Sequence, residues 1–435
     1  MTRHRRLALL LAATLAVGCG TSVSPSPSGT ASPPPTGPAA STSPAGSSSP
    51  GPSVDPVAVY RAIEGQVQRI RGLRATSPVT PQLISPARMS QIVTNQATTE
   101  SPPALIAAYE GLYKALGLIA PDASLSALYS SLLESQVAGL YVPATKSLYV
   151  VSKAGQVGGV EKFFFSHEYD HALQDQNFNL TTFMAGLTDD TDAQLARQSL
   201  VEGDAYTLMA QWLQANATPS DILQVLAAST DTSALAQLQA IPRIIQTQIL
   251  FAATQGQSFV SRMQAAGGWA AVDDAFRTHP PASTEQILHP EKWAAGEKPV
   301  PVTLPPGLAG RMGSGWRAAL SDTFGEYQTS VWLEDAGKVD AATATTAAAG
   351  WGGDRMTYLT GPSGAWALAW RTAWDTSTDA TQFEAAATTT VNAMTGGTSA
   401  VAGRVLPSGD RGARVLLASD NATMARLAGV LGLAG

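Results

Sequence analysis

Apolar residues recur along this chain at two periods, and the changes of period mark its elements. Val59, Ile63, Val67 and Ile70 stand three and four positions apart. That spacing lines one face of an α-helix, so 56–73 reads as an amphipathic helix. Similar spacing predicts helices over 86–96, 103–117 and 124–134. The pattern then switches. Residues 136–142 and 147–152 are short runs rich in Val, Leu and Tyr, separated by Pro143, Ala144, Thr145 and Lys146. They read as a β-hairpin. Helical spacing returns over 160–176, with Gly158 and Gly159 at the start, and over 192–215, with Asp190 or Thr191 as cap. Further helices are predicted over 220–229, 232–253 and 256–277, the last stopped at His279-Pro280-Pro281. A second unit starts near Gly307. Its pattern reads helix 316–335, helix 339–349, strands 355–360 and 365–373, helix 376–394, strands 400–406 and 412–418, and helix 420–432. No period of a repeat protein is present.

This order predicts an α+β protein. A mostly helical unit with a small hairpin occupies 55–306, and a smaller α+β unit with an antiparallel sheet occupies 307–435. A chain of 435 residues is long enough for each to have its own core.

The pattern is different before Asp55. Arg3, Arg5 and Arg6 precede an apolar run from Leu7 to Val17, too short for a permanent span. Ala16, Val17 and Gly18 then lead to Cys19, the one cysteine of the chain. Residues 1–18 resemble a bacterial lipoprotein signal peptide, with Cys19 as the lipidated first residue of the mature protein. The expected location is the outer face of the cell membrane. Residues 19–54 are Ser, Pro, Thr and Gly with almost no bulky apolar side chain, which predicts a disordered tether. Losing the three arginines takes the formal net charge from −6 to −9. No basic block interleaved with aromatics occurs, so nucleic acid is not an expected partner. Without a second cysteine, the fold must rest on its core and on any metal it holds.

The chemistry concentrates at His167-Glu168-Tyr169-Asp170-His171. Positions four apart share a helix face, so both imidazoles can reach one zinc ion. Glu168 is placed to act as general base on a water at that ion. With 5 histidines and 13 glutamates in the chain, chance gives the H-E-x-x-H pattern about 0.002 times. A catalytic zinc site needs a third protein ligand. The continuation that would supply a third histidine is absent, because Ala172, Leu173, Gln174, Asp175, Gln176 and Asn177 follow. Glu202 is the only glutamate between Glu168 and Glu285, and an antiparallel helix of that offset would bring it to the metal. Gly203 beside it would let the two helices approach closely.

These two stretches, 167–176 and Leu200-Val201-Glu202-Gly203-Asp204-Ala205, make the chain resemble the gluzincins. Those are the thermolysin-like zinc metallopeptidases, here in the form of bacterial lipoprotein members. The resemblance covers roughly 55–300 in layout and is specific at those two motifs. It implies His167, His171 and Glu202 as zinc ligands and Glu168 as catalytic base. It also implies that a hairpin strand lines the cleft and pairs with an extended peptide. Asp175, where related gluzincins also carry an aspartate, would orient a ligand or a neighbouring helix, and Asp204 would do the same. Asp170 reads as surface charge. Relatives stabilise the oxyanion with a histidine or tyrosine from beyond the third ligand. His279 and His289 are the expected residues for that role, with Tyr206 as a further one.

In the second unit, Trp351, Trp366, Trp370 and Trp374 read as core, and Asp375 and Asp379 suit a helix start. Nothing there requires Glu326 to reach the cleft. The expected activity is peptide-bond hydrolysis by one zinc ion, on a peptide or protein substrate at the cell surface. The alternative is a zinc-binding envelope assembly or peptide-binding protein with a peptidase fold and little turnover.

Overall fold

The computed structural model describes residues 13–15, 55–100, 102–129, 137–151, 157–230, 236, 239–396 and 401–433. Cys19, the tether and all of the expected signal peptide except 13–15 lie outside them. So does the end of the helix expected over 124–134. In chain order the first elements are β1 (Ala13–Leu15), α1 (Pro56–Arg71), β2 (Pro81–Ile84), α2 (Pro86–Glu100), α3 (Pro103–Ala115), β3 (Val137–Val142) and β4 (Ser147–Val151). Next come α4 (Gly159–Phe178), α5 (Thr191–Asn216), α6 (Pro219–Ser229), α7 (Arg243–Arg277) and α8 (Thr284–Leu288). The C-terminal elements are α9 (Leu308–Met312), β5 (Arg317–Asp322), α10 (Gly325–Asp335), α11 (Ala341–Ala348), β6 (Trp351–Thr360), β7 (Trp366–Trp374), α12 (Ser377–Thr395), β8 (Ala402–Pro407), β9 (Gly412–Ala418) and α13 (Asn421–Val430). The fold is mixed α+β.

The hairpin β3–β4 forms as expected, with Tyr141 opposite Leu148. β4 is flanked on its other side by β2, in parallel. That strand was not expected, since four residues starting at Pro81 show no alternation. The outer edge of β3 is paired only with β1 among the described residues. β1 lies inside the expected signal peptide; were that peptide removed, β3 would have no other strand on this edge among the described residues.

Three sequence expectations are corrected. The helix expected over 232–253 is interrupted at 240–242, and α7 begins only at Arg243, after Pro242 as its cap. The stretch expected to be one helix over 316–335 begins with β5, which pairs antiparallel with β6, and turns helical only at Gly325. Ala318, Ala319 and Leu320 favour a helix locally, and pairing with a ten-residue neighbour overrides that preference. The break expected near 254–255 is absent. α7 runs on and departs from helical geometry at Gly267 and at Gly268, which has φ +66°.

The C-terminal sheet has the order β5-β6-β7-β9-β8, all antiparallel. α10, α11 and α12 cover one side and α9 and α13 the other. Trp351, Trp370 and Trp374 are buried in its core, as their pattern suggested. That core does not stop at residue 307. Tyr109 and Leu112 of α3 and Ile244 and Ile245 of α7 join the same cluster as Trp332 and Trp370. Among the described residues no helix is long and apolar enough to cross a membrane.

Candidate metal centre

α4 is a central helix. Every residue from Phe164 to Asp175 is buried, against α1, α5, α6 and the hairpin. Its first turn is fixed where the Gly158 amide donates to Glu161 Oε2 at 3.0 Å. α5 starts at its Asp190 cap, whose carboxylate accepts from Ala193 N at 2.9 Å, and it runs 26 residues. These two helices bring His167, His171 and Glu202 together.

The three side chains are close enough to share one ion. His167 Nε2 and His171 Nε2 face each other at 3.0 Å. Glu202 Oε2 lies 3.4 Å from the first and 3.8 Å from the second. Tetrahedral ligands at zinc–ligand distances of 2.0–2.1 Å stand about 3.3 Å apart, which these three separations bracket. The donor set also fits. Burial holds His167 down to about 3, and burial with the neighbouring His167 holds His171 down to about 4. Both imidazoles are therefore neutral near pH 7, the form that offers a lone pair. Burial pushes the Glu202 carboxyl up to about 7, and its Oε1 has no hydrogen-bond partner among the described residues. A cation between these atoms would relieve that cost. Three such donors, without cysteine, match an open zinc site rather than a closed structural one.

Gln174 sets the orientation of His171. Its amide nitrogen donates to Asp170 Oδ2 at 3.1 Å and to the Val201 carbonyl at 3.0 Å. That leaves its Oε1 facing His171 Nδ1 at 2.9 Å. Nδ1 must then carry the proton, and Nε2 is left free to bind metal. His167 Nδ1 is buried with no such partner among the described residues. Tyr206 lies edge-on to the His167 ring, with centroids 4.7 Å apart.

Glu168 is directed at the hairpin. Its Oε2 accepts from Tyr141 N of β3 at 2.7 Å. Gly139 makes this approach possible, because a Cβ there would lie 2.6 Å from Glu168 Cγ. The motif, Glu168 included, and β3 are thus one packed unit.

The other expected site residues fall in several places. Asp175 accepts from Tyr141 Oη at 2.8 Å, from Lys146 Nζ and from Leu180 N, so it fastens the hairpin to α4 rather than touching a ligand. Asp204 is buried and takes both Nε and Nη2 of Arg71, at 2.8 and 3.0 Å. Asp170 is not surface charge. It is fully buried, and burial together with Asp204 pushes its pKa up. The sequence reading failed there because α4 is covered all round, so no face of the motif is solvated. Gly203 also differs from expectation. It faces the backbone of Gly256 in α7, not α4. His279 is exposed and bonded to Asp274, and His289 Nε2 lies 3.0 Å from Glu326 Oε1. Among the described residues, none of their hydrogen bonds or ion pairs involves His167, His171 or Glu202. Of the residues weighed for the oxyanion, Tyr206 is the one packed against the site.

Sequence reasoning missed Gln174, Gly139 and Arg71. The i,i+3 spacing of His171 and Gln174 was visible, but its use depends on what holds the amide. A second acidic group, Glu285, Glu297 and Asp375, surrounds the Lys292 ammonium, which already supplies the positive charge.

Residues 315–429 match the family model described as Domain of unknown function (DUF8575), about a quarter of the chain. No curated protein and no solved structure matches the chain.

Proposed function

We propose that the chain is a zinc metallopeptidase of the gluzincin type, exported and held at the membrane surface by a lipidated Cys19. The observation that carries the reading is the convergence of His167 Nε2, His171 Nε2 and Glu202 Oε2 at tetrahedral spacing. Bound there, zinc would polarise a peptide carbonyl as a Lewis acid and make water a better nucleophile at neutral pH. The remaining tasks belong to the chain itself. His167, His171 and Glu202 hold the ion. Glu168 takes the proton of the attacking water and returns it to the leaving amine. The outer edge of β3, open once residues 1–18 are gone, pairs with an extended substrate through backbone hydrogen bonds. Tyr206, beside His167, is the group best placed to steady the developing oxyanion.

One observation favours a second reading, a peptide-binding zinc protein with little turnover. Glu168 is fully buried and engaged by β3, so the base must be uncovered before it meets a substrate. A single comparison separates the two. Metal content and cleavage of a broad peptide library are measured on residues 20–435 and on Glu168→Gln. The peptidase reading expects about one zinc per chain in both and cleavage only with Glu168. Bound zinc without cleavage in either would favour the binding protein. Zinc retained in full by Glu202→Ala would remove the third ligand.

A further inference from the structure

The charges of the C-terminal unit are sorted by face. On one side of its sheet, α10, α11 and α12 carry Glu326, Glu334, Asp335, Asp379 and Glu384 and no lysine or arginine. On the other side, α9 and α13 carry Arg311 and Arg426 and no carboxylate. The strands continue the pattern. Met356, Trp370 and Val415 point into the core under α10–α12. Their neighbours in sequence, Arg355, Arg371 and Arg414, therefore point to the α9/α13 side. Arg355 is in register with Arg371, and Arg371 with Arg414. Three guanidinium side chains thus start from one row across β6, β7 and β9, their strands about 4.8 Å apart. Arg404 of β8 is in register with Leu416, which also lies on that side.

Among the described residues, only one member of this row has a carboxylate partner. Like charges directly opposite one another weaken a strand pair. Arg355 reaches Asp189, but Arg371 and Arg414 reach only backbone carbonyls, Thr303 O at 3.5 Å and Pro407 O at 3.4 Å. Neither has a carboxylate partner among the described residues. Burial and the adjacent Arg371 also hold the Arg414 guanidinium below its usual pKa. The concentration of positive charge stands out in a chain whose net charge is −6.

We infer that this face docks on an anionic membrane surface, its arginines meeting the phosphate groups of acidic lipids. A planar array of phosphates fits better than a single small anion. The arginines are spread over four strands and two helices, and they do not converge on one cavity. If Cys19 is the anchor, the 19–54 tether would keep residue 55, where the folded part begins, within about 30–35 Å of the lipid on average. The anchored reading gives the membrane contact its setting, but the arginine face stands without it, and the test leaves the anchor out.

Residues 20–435, which lack the lipidated cysteine, are sedimented with vesicles of phosphatidylcholine alone and with vesicles one third phosphatidylglycerol. The expected result is retention on the acidic vesicles that falls at high salt. Arg371→Gln with Arg414→Gln should lower the partition about 25-fold, about five-fold per charge. Arg61→Gln, on α1, should leave it unchanged. Thermal melts show whether the double variant stays folded. Equal binding to both vesicle types, or full binding by the folded double variant, overturns the proposal. Binding of soluble polyphosphate without binding to acidic vesicles overturns it too, in favour of a free phosphate polymer.

Discussion

Gly139 decides where Glu168 can be. A Cβ at this position would meet Glu168 Cγ at 2.6 Å and Oε1 at 3.1 Å, so alanine must displace either β3 or the proposed base. The proposed ligands His167, His171 and Glu202 sit on α4 and α5, and none of them is among the atoms the new Cβ would meet. Gly139→Ala should therefore lower kcat about 10- to 100-fold while zinc content stays at one per chain. Steady-state kinetics beside metal analysis checks this, and full activity would mean that Glu168 has no positional demand. Gln174 acts on the metal side of the site. Without its Oε1, His171 is free to rotate or to present the wrong tautomer. Gln174→Ala should weaken zinc binding about 10- to 100-fold by competition with a chelator. An unchanged affinity would show that helix packing alone orients the imidazole. The approach of His167 and His171 was legible in the sequence, because i,i+4 spacing on a helix fixes their common face. Gln174 and Gly139 were not, since their roles depend on α5 and β3 lying against them in space.

At the scale of elements, what places Glu202 is the crossing of α5 with its neighbours. Gly203 would drive a Cβ to 2.1 Å from Gly256 O, and Gly256 would meet Ser199 O at 2.2 Å, so α5 and α7 touch backbone to backbone. On another side of α5, Arg71 at the end of α1 holds Asp204 and also Asp273 of α7, with Trp269 stacked 4.5 Å from its guanidinium. This buried cation therefore joins three helices two residues from Glu202. Replacing it strands Asp204 and Asp170 without a countercharge. Arg71→Met should cost about 3–5 kcal/mol of stability in urea denaturation. Zinc affinity should fall with it, because α5 loses its fixed rotation. Stability within about 1 kcal/mol of the wild type would show that the pair roughly balances its own desolvation. The helices themselves were readable, α4 and α5 to within two residues at each end, because the apolar period is long and Gly158 and Asp190 mark their starts. β5 and the true break in α7 were not. β5 carries helix-forming residues that only its pairing with β6 overrides, and the choice between Gly256 and Gly267-Gly268 depends on Gly256 being pressed against Ser199.

At the scale of the whole molecule, the two units read from the sequence are joined through a shared core and a row of buried carboxylates. Asp322, at the end of β5, accepts from Thr191 N and Thr191 Oγ1 at 2.8 Å each, and from Tyr109 Oη at 3.4 Å. It thus ties the C-terminal sheet to the first residue of the helix that carries Glu202, and to α3. Burial pushes its pKa from the ordinary 3.8 up to about 7, despite the Thr191 bonds that pull it down. The sign of the consequence follows from proton counting. Between about pH 4 and 7 the unfolded chain has released this proton and the folded chain still holds it, so Asp322 makes stability fall as pH rises, and above about 7 its effect is constant. An asparagine in place of the acid cannot titrate and mimics the protonated form. The melting temperature of Asp322→Asn minus that of the wild type should therefore climb by a few degrees from about pH 4 to 7 and then level off. Taking the difference cancels the opposing titrations of His167 and His171, whose depressed pKa values make acid destabilising. Both proteins are melted with chelator present so that zinc does not enter. A flat difference would place a charged Asp322 in the folded state at about pH 5. The junction would then be held by an ionised carboxylate at the start of α5, a stabilising partner for the helix dipole, instead of a neutral hydrogen-bonded one.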